Sequence, residues 1–405
     1  MTNTETSPSR IIDIEGLSFT SGAHLLINRV LRELPAGGRL GVRAESRDFA
    51  VHLRGWCRAQ GHEYLDGDES VTAWIVRGGA ASGRWSQAER AGGIDSGSSD
   101  AVLDAPSLNW GLAARGALVE AGGPEFHYRL RNKEQVWAGN VPKLYAQAID
   151  AQWNPNLSID WGEQFTLDEE VERAVVQVMT YLIENENAAL QTPARFIAQI
   201  HPHFREVLQL LALQIVDEAR HIEVFTRRAS LSGNPLGLSA VSGQQSLKTL
   251  LDEPDFATAS FLLSVLGEGT FLNLLWFLEQ HAPDPITRRI ARLVAQDEAR
   301  HVAFGVGHLQ YQLAADPSLR DRLAQAMARR HEVLAQTAGL NEEVFDALIL
   351  LAAGSWQPRE ISAGYDRVQR LKQEMHAGRK GRLEKLGFSS AEAEDLSSLH
   401  TRNFM

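Results

Sequence analysis

The chain has 405 residues, 40 basic and 51 acidic side chains and one cysteine, for a formal net charge of −11 at pH 7. A single cysteine excludes a disulfide framework, a CxxC zinc site and a cysteine-held iron–sulfur cluster, and the negative balance argues against non-specific binding to nucleic acid. The length allows two or three domains, each able to bury a core.

The polar opening MTNTETSPSR lacks the apolar stretch of a signal peptide, and no segment reaches the length of a membrane span free of charges. A soluble, cytoplasmic protein with no membrane and no nucleic-acid partner is expected. Residues 9–79 then alternate periods. RIIDIEG reads as a strand, and AHLLINRVLREL places Leu25, Leu26, Val30 and Leu34 near helical spacing until Pro35 and the Gly37–Gly38 pair. RLGVRA is a second strand and RDFAVHLRGWCRAQG a second helix, capped at Ser46 and stopped at Gly61. EYL and VTAWIVR, joined by the turn DGDE, complete the unit. The expected arrangement is a βαβαββ sandwich of helices on a sheet. Cys57, mid-helix beside Trp56, reads as a buried structural thiol.

Residues 80–140 change composition. GGAASGRWSQAERAGGIDSGSSD is rich in Gly and Ser and predicts a linker, and the following VLDAPSLNWGLAARGALVEAGG has no clear period. Residues 141–405 are strongly helical. EEVERAVVQVMTYLIENENAAL, HFREVLQLLALQIVDEARHIEVFTRRASL, ATASFLLSVLGEGTFLNLLWFLEQ and ITRRIARLVAQDEARHVAFGVGHLQYQL are each long enough to cross a domain, and their short connections predict an all-α bundle. Extra C-terminal helices are expected at about 318–337, 342–353 and 361–376. Within them the apolar run VFDALILLAAGSW offers a homodimer face, and Arg379, Lys380, Arg382 and Lys385, interleaved with Glu384, read as a solvated helix face.

The pentamer DEARH occurs twice, at Asp217–His221 and Asp297–His301, each time inside an apolar helix. Residues three apart share a helix face, so Glu218 with His221, and Glu298 with His301, each form a carboxylate and imidazole claw. An exposed charge stripe, with Asp217–Arg220 and Asp297–Arg300 as surface pairs, conflicts with the flanks: Ile215, Val216, Ile222 and Val224 crowd one motif, and Leu293, Val294, Val302 and Phe304 the other. Buried acids and imidazoles need partners, and a metal is one. Two claws leave two divalent ions short of charge, so each remaining long helix should add a carboxylate. Glu186, on a face with Met179, Leu182, Ile183, Ala189 and Leu190, and Glu268, among Phe261, Val265, Phe271, Leu272 and Leu275, are the candidates. Glu184 competes with Glu186, but its neighbours Thr180, Tyr181 and Asn187 are more polar. His201, His203, His308 and His331 read as helix-end histidines, with ligation or proton relay as the alternatives.

Glu186, Glu218-x-x-His221, Glu268 and Glu298-x-x-His301 together resemble the ligand pattern of ferritin-like di-iron carboxylate proteins, over roughly residues 141–313. The resemblance implies a ferritin-like bundle in which these six residues hold two iron ions, Fe/Fe in preference to Mn/Fe, with Glu218 and Glu298 at the centre of catalysis. It also implies that Asp217 and Asp297 hold the ligating histidines by their other N–H, with Arg220 and Arg300 neutralising them. O2 would be a co-substrate of an oxygenase or oxidase acting on a small organic molecule, such as one of specialised metabolism; Phe261, Phe271, Trp276 and Phe304 are candidates to line its cavity, but as aromatics at helical spacing they read first as plain core. With no flavin or ferredoxin motif in the chain, electrons would come from an external donor such as ferredoxin with its reductase, or from the substrate. The alternatives are a ferritin- or rubrerythrin-like iron oxidase or peroxidase, and a metal-free structural bundle. Residues 9–79 are similar to the TusA/SirA sulfur-carrier fold, but SFTSG follows Gly16–Leu17 where that family places its sulfur-bearing cysteine, so no sulfur transfer is expected.

Overall fold

A computed structural model describes residues 9–79, 84–95, 101–335 and 342–399. The chain divides into two compact units, one built from residues up to 91 together with 113–125, the other from 92–112 and from 126 onward.

The first unit runs β1 (Ser9–Asp13), α1 (Ala23–Leu31), β2 (Arg39–Arg43), α2 (Phe49–Gln60), β3 (Glu63–Asp66) and β4 (Ala73–Val76). The sheet order is β1-β2-β4-β3, with β1 parallel to β2 and the other pairs antiparallel. Side chains of central β2 and of both helices close its core: Leu40 and Val42 meet Ala23, Ile27 and Leu31 of α1 and Phe49, Leu53 and Cys57 of α2. That corrects the phase expected for α1. Gly22, at φ 102°, ends a 3-10 turn over Phe19–Ser21 and starts the helix at Ala23, so the series 23, 27, 31 turns inward and Leu25 is left 65% exposed. Cys57 is buried, and burial pushes its thiol up to about 11.

Residues 80–140, expected as a linker, are shared between the two units. A short pair, β5 (Glu89–Arg90) and β6 (Leu118–Val119), belongs to the first. Val102, Val136, Trp137 and Ala138 are buried in a core cluster of the second, against Phe196, Phe204, Phe256 and Phe304. The parts of that segment at 80–83 and 96–100, and the end of the helix expected at 318–337, lie outside the described residues.

The second unit is helical. It contains α3 (Val141–Asp150), the short α4 (Pro155–Ser158), α5 (Glu169–Ile197), α6 (Arg205–Ala229) and α7 (Val241–Leu251). A continuous helical run follows, made of α8 (Phe256–Ser260), a π-helical stretch over Phe261–Glu268 and α9 (Gly269–His281). After it come α10 (Pro285–Ala315), α11 (Leu319–Ala335), α12 (Glu342–Ala353), α13 (Pro358–Lys385) and α14 (Ser390–Ser398). The α5–α6 and α9–α10 pairs pack most extensively. The run Phe256–His281 is long and apolar enough to cross a membrane, yet 83% of its most apolar window is buried inside the unit, as befits a core helix.

Two expectations for the C-terminal helices are corrected. The apolar side of α12 packs on α5 and α13, with Val344, Leu348 and Leu351 in the main core, so this face is covered within the chain. The basic cluster on α13 is not a uniformly solvated face. Arg379 is fully buried and donates to the Ser397 carbonyl, and Arg382 donates to the Val265 carbonyl. Lys380 does remain outside, paired with Glu394 at 2.8 Å. Periodicity could not separate the two kinds of position, because it was α14, packed on α13, that covered one side of a polar helix.

Candidate metal centre

The six predicted ligand residues come from four helical segments: Glu186 from α5, Glu218 and His221 from α6, Glu268 from the end of the π-helical stretch, and Glu298 and His301 from α10. None is more than 5% exposed. The three-residue spacing of each claw works as helix geometry requires, turning both members of a pair inward.

Nδ1 of His221 lies 3.1 Å from Oε2 of Glu218, 3.4 Å from Oε1 of Glu298 and 3.6 Å from Oε2 of Glu186. Nδ1 of His301 lies 3.2 Å from Oε1 of Glu218, 3.4 Å from Oε2 of Glu298 and 3.9 Å from Oε1 of Glu268. Glu218 and Glu298 therefore turn one oxygen to each imidazole. The result is two overlapping sets able to hold a metal ion, Glu186–Glu218–His221–Glu298 and Glu218–Glu268–Glu298–His301, the ligand atoms of each lying within 4.8 Å of one another. Glu184 is only partly buried and stands outside both sets.

Oε1 of Glu218, Oε2 of Glu268, Oε2 of Glu298 and Nδ1 of His301 are buried, and none makes a directed hydrogen bond. Buried oxygen and nitrogen atoms that converge without directed hydrogen bonds are costly in a dry interior and are what a cation requires. Four carboxylates and two imidazoles of neutral charge balance two divalent ions, and this hard oxygen and nitrogen set suits iron or manganese. The residues present thus fit a dinuclear centre.

Protons carry the positive charge in the metal-free form. Burial disfavours charging His221 and His301, but the carboxylates around them, Glu186 foremost for His221 and Glu218 for His301, outweigh it and raise both well above the usual imidazole range. Burial, reinforced by neighbouring Glu218 for Glu186 and Glu298 for Glu268, holds those two carboxyls well above theirs. Burial also opposes ionisation of Glu218, yet the His301 and His221 imidazoles hold it below the ordinary range.

The aspartates of the two motifs are crossed. Nε2 of His221 meets Oδ2 of Asp297 at 3.1 Å, and Nε2 of His301 meets Oδ2 of Asp217 at 3.3 Å. Each motif's aspartate thus holds the other motif's histidine, leaving both Nδ1 atoms to face the ligand sets. Arg220 pairs with Asp217 of its own motif and, at 2.8 Å, with Asp297 of the other; Arg300 pairs with Asp297. The i,i+3 pairs expected from the sequence form, but they are buried.

Three participants were missed. Just beyond α3, Gln152 donates to Oδ1 of Asp217 at 2.9 Å, and the Trp153 indole donates to Oδ2 of Asp297 at 2.7 Å while its ring lies under the Arg220 guanidinium. No motif or period marks these two. Gln214 donates to Oε1 of Glu268 at 2.8 Å; standing four residues before Glu218, on the same helix face, it could have been found.

A pocket with about 430 Å³ of empty space, part of it open to solvent, reaches Glu186, Glu268 and Glu298 and is walled by Ala189, Leu247, Leu250, Leu262, Leu263 and Phe271. Of the four candidate aromatics only Phe271 lines it, stacked on Tyr181. Phe304 lines a separate pocket with Gln214 and Phe256, Phe261 is wholly in the core, and Trp276 is 38% exposed. None of the four other histidines joins a ligand set. His203 accepts from the Leu103 N–H, and His201, His308 and His331 lie beside backbone carbonyls, of Ser107, Trp137 and Leu399. Burial lowers His308 to about 4.

No protein-family model and no curated protein sequence matches the chain. Among solved structures, it is similar to an R2-like ligand-binding oxidase with aerobically reconstituted metal cofactor after photoconversion, at 17% identity over 66% of this chain and 95% of that one, with a TM-score of 0.42. A variant of the R2-like ligand-binding oxidase with anaerobically reconstituted Mn/Fe cofactor is similar at 19% identity over 62% of this chain and 94% of that one, with a TM-score of 0.46. Likeness of this size carries no activity from one chain to another.

Proposed function

We propose that this chain is an O2-dependent non-haem di-iron oxidase or oxygenase acting on a small, largely apolar organic molecule. The observation that carries the reading is the convergence of buried carboxylate and imidazole atoms, four of them without a directed hydrogen bond, into two ligand sets joined by Glu218 and Glu298, at the end of an apolar pocket.

Two ferrous ions held there would supply electrons and open coordination positions for the reduction of O2. The chain's own side chains do the rest. Glu218 and Glu298 share their oxygens between the two sets, and His221 and His301 are held in one tautomer by Asp297 and Asp217. The leucine and phenylalanine walls of the pocket favour an apolar substrate. A cytoplasmic setting and an external electron donor such as ferredoxin with its reductase belong to the same proposal.

The test is anaerobic loading with excess Fe(II), desalting and counting of iron, followed by exposure to O2. Two irons per chain are expected, fewer in Glu268→Ala, with O2 uptake lost in Glu218→Ala and His301→Ala. Near-zero iron, or O2 uptake surviving both substitutions, would refute the reading. Rapid peroxide turnover with no organic substrate would move it to a protective oxidase or peroxidase.

A further inference from the structure

Glu268 is the last residue of the π-helical stretch, and the C-terminal helix α13 reaches that stretch from outside the ligand-bearing helices. In an α-helix the Val265 carbonyl would accept from the Gly269 N–H, four residues on. Here the Gly269 N–H turns instead to the carbonyls of Ser264, Leu266 and Gly267. Val265 has lost its usual donor at the point where the wide turn returns to α spacing, and a buried carbonyl without a donor is costly.

Arg382 of α13 replaces that donor, its Nε–H reaching the Val265 carbonyl at 2.7 Å. Gly269 makes the approach possible, since a Cβ there would lie 2.4 Å from Nε and 2.5 Å from Cζ of the same guanidinium. Glu268 stands beside this glycine and three residues beyond the capped carbonyl. A regular α-helix through the stretch would shift the register by one residue, a rotation of about 100°, and turn Glu268 off the face it shares with Glu298 and His301.

We infer that Arg382 is a positioning residue for Glu268, holding the π turn open by occupying the Val265 carbonyl. Its consequence for metal binding rests on the di-metal reading; the contact itself does not. The C-terminal helix is on this view part of the scaffold of the centre.

The experiment compares Arg382→Met, which keeps the length without a donor, with Arg382→Gln, whose side-chain N–H group sits the same number of bonds from Cα as Nε. Gly269→Ala, which would displace the guanidinium, is the second approach. Hydrogen exchange is followed across residues 261–270 of the metal-free protein, and Co(II) is titrated into the full chain, with the absorption lost in His301→Ala marking the ion of that set. In Arg382→Met and Gly269→Ala, exchange of these amides should rise at least tenfold. The ion of the His301 set should bind about tenfold more weakly while that of the His221 set changes by less than about twofold. Arg382→Gln should recover both. Wild-type exchange and binding in Arg382→Met would overturn the inference, as would equal weakening of both ions that glutamine does not restore. Should the wild-type chain bind no Co(II), the di-metal reading fails, and exchange alone decides: unchanged protection in Arg382→Met overturns the positioning role, and a rise recovered by glutamine supports it.

Discussion

Asp297 sits beside Glu298 in the sequence, yet its Oδ2 receives His221 of the other motif together with the Trp153 indole and Arg220. Substituting Asn at 297 should therefore weaken the ion of the His221 set, by about 10- to 100-fold, more than the ion of the neighbouring His301 set. Double substitutions make the crossing measurable. Metal titrations should find Asp297→Asn non-additive with His221→Ala and additive with His301→Ala, and the reverse for Asp217→Asn. Additivity of Asp297→Asn with His221→Ala would mean the two side chains act independently. At this scale the ligand types were legible, because a carboxylate and an imidazole three apart in an apolar helix leave few bland explanations. Which aspartate serves which histidine was not, since that depends on how α6 and α10 face each other.

Among the elements, a buried charge network outside the centre joins three helices. Arg228 of α6 is fully buried; it grips Glu172 of α5 with both terminal nitrogens at 2.7 and 2.9 Å and reaches Asp284 at 2.8 Å. Asp284 in turn caps α10 through the Thr287 N–H at 2.8 Å. Arg228→Met would leave two buried carboxylates without their cation, and urea unfolding should show a loss of about 3–5 kcal/mol. A loss below about 1 kcal/mol would show that water or another cation reaches the site. The long helices themselves were readable from their periods and sparse breakers. The π-helical stretch was not, because one extra residue in a turn leaves no mark on FLLSVLGE, where only Ser264 and Glu268 interrupt an apolar run; all eight of its residues are buried.

At the scale of the whole molecule, metal and protons compete for one buried charge balance. His221 and His301 are held above their usual value of 6.5 in the metal-free fold, so between that value and their raised ones the folded state binds more protons than the unfolded chain. Stability then falls as pH rises, by up to about 1.4 kcal/mol per pH unit for each proton retained. A bound ion displaces those protons and binds only the folded state. Thermal unfolding of the metal-free protein should shift to lower temperature between pH 6.5 and 9, and the rise in midpoint on adding Fe(II) anaerobically should widen over the same range. A midpoint rise independent of pH would show that the histidines are neutral before the metal arrives.

What the amino-acid order determined by itself was local: a small mixed unit ahead of long helices, and six inward-turned carboxylate and imidazole side chains, since periodicity and i,i+3 spacing are properties of neighbouring residues. What only the tertiary structure decided was relational. The crossing of the aspartates, the sharing of Glu218 and Glu298 between two sets, the pocket wall drawn from α5, α7 and the π-helical run, and the burial of Arg379 beneath α14 all depend on which faces meet. Packing sets those meetings across separations of tens to more than a hundred residues, where no local period carries information.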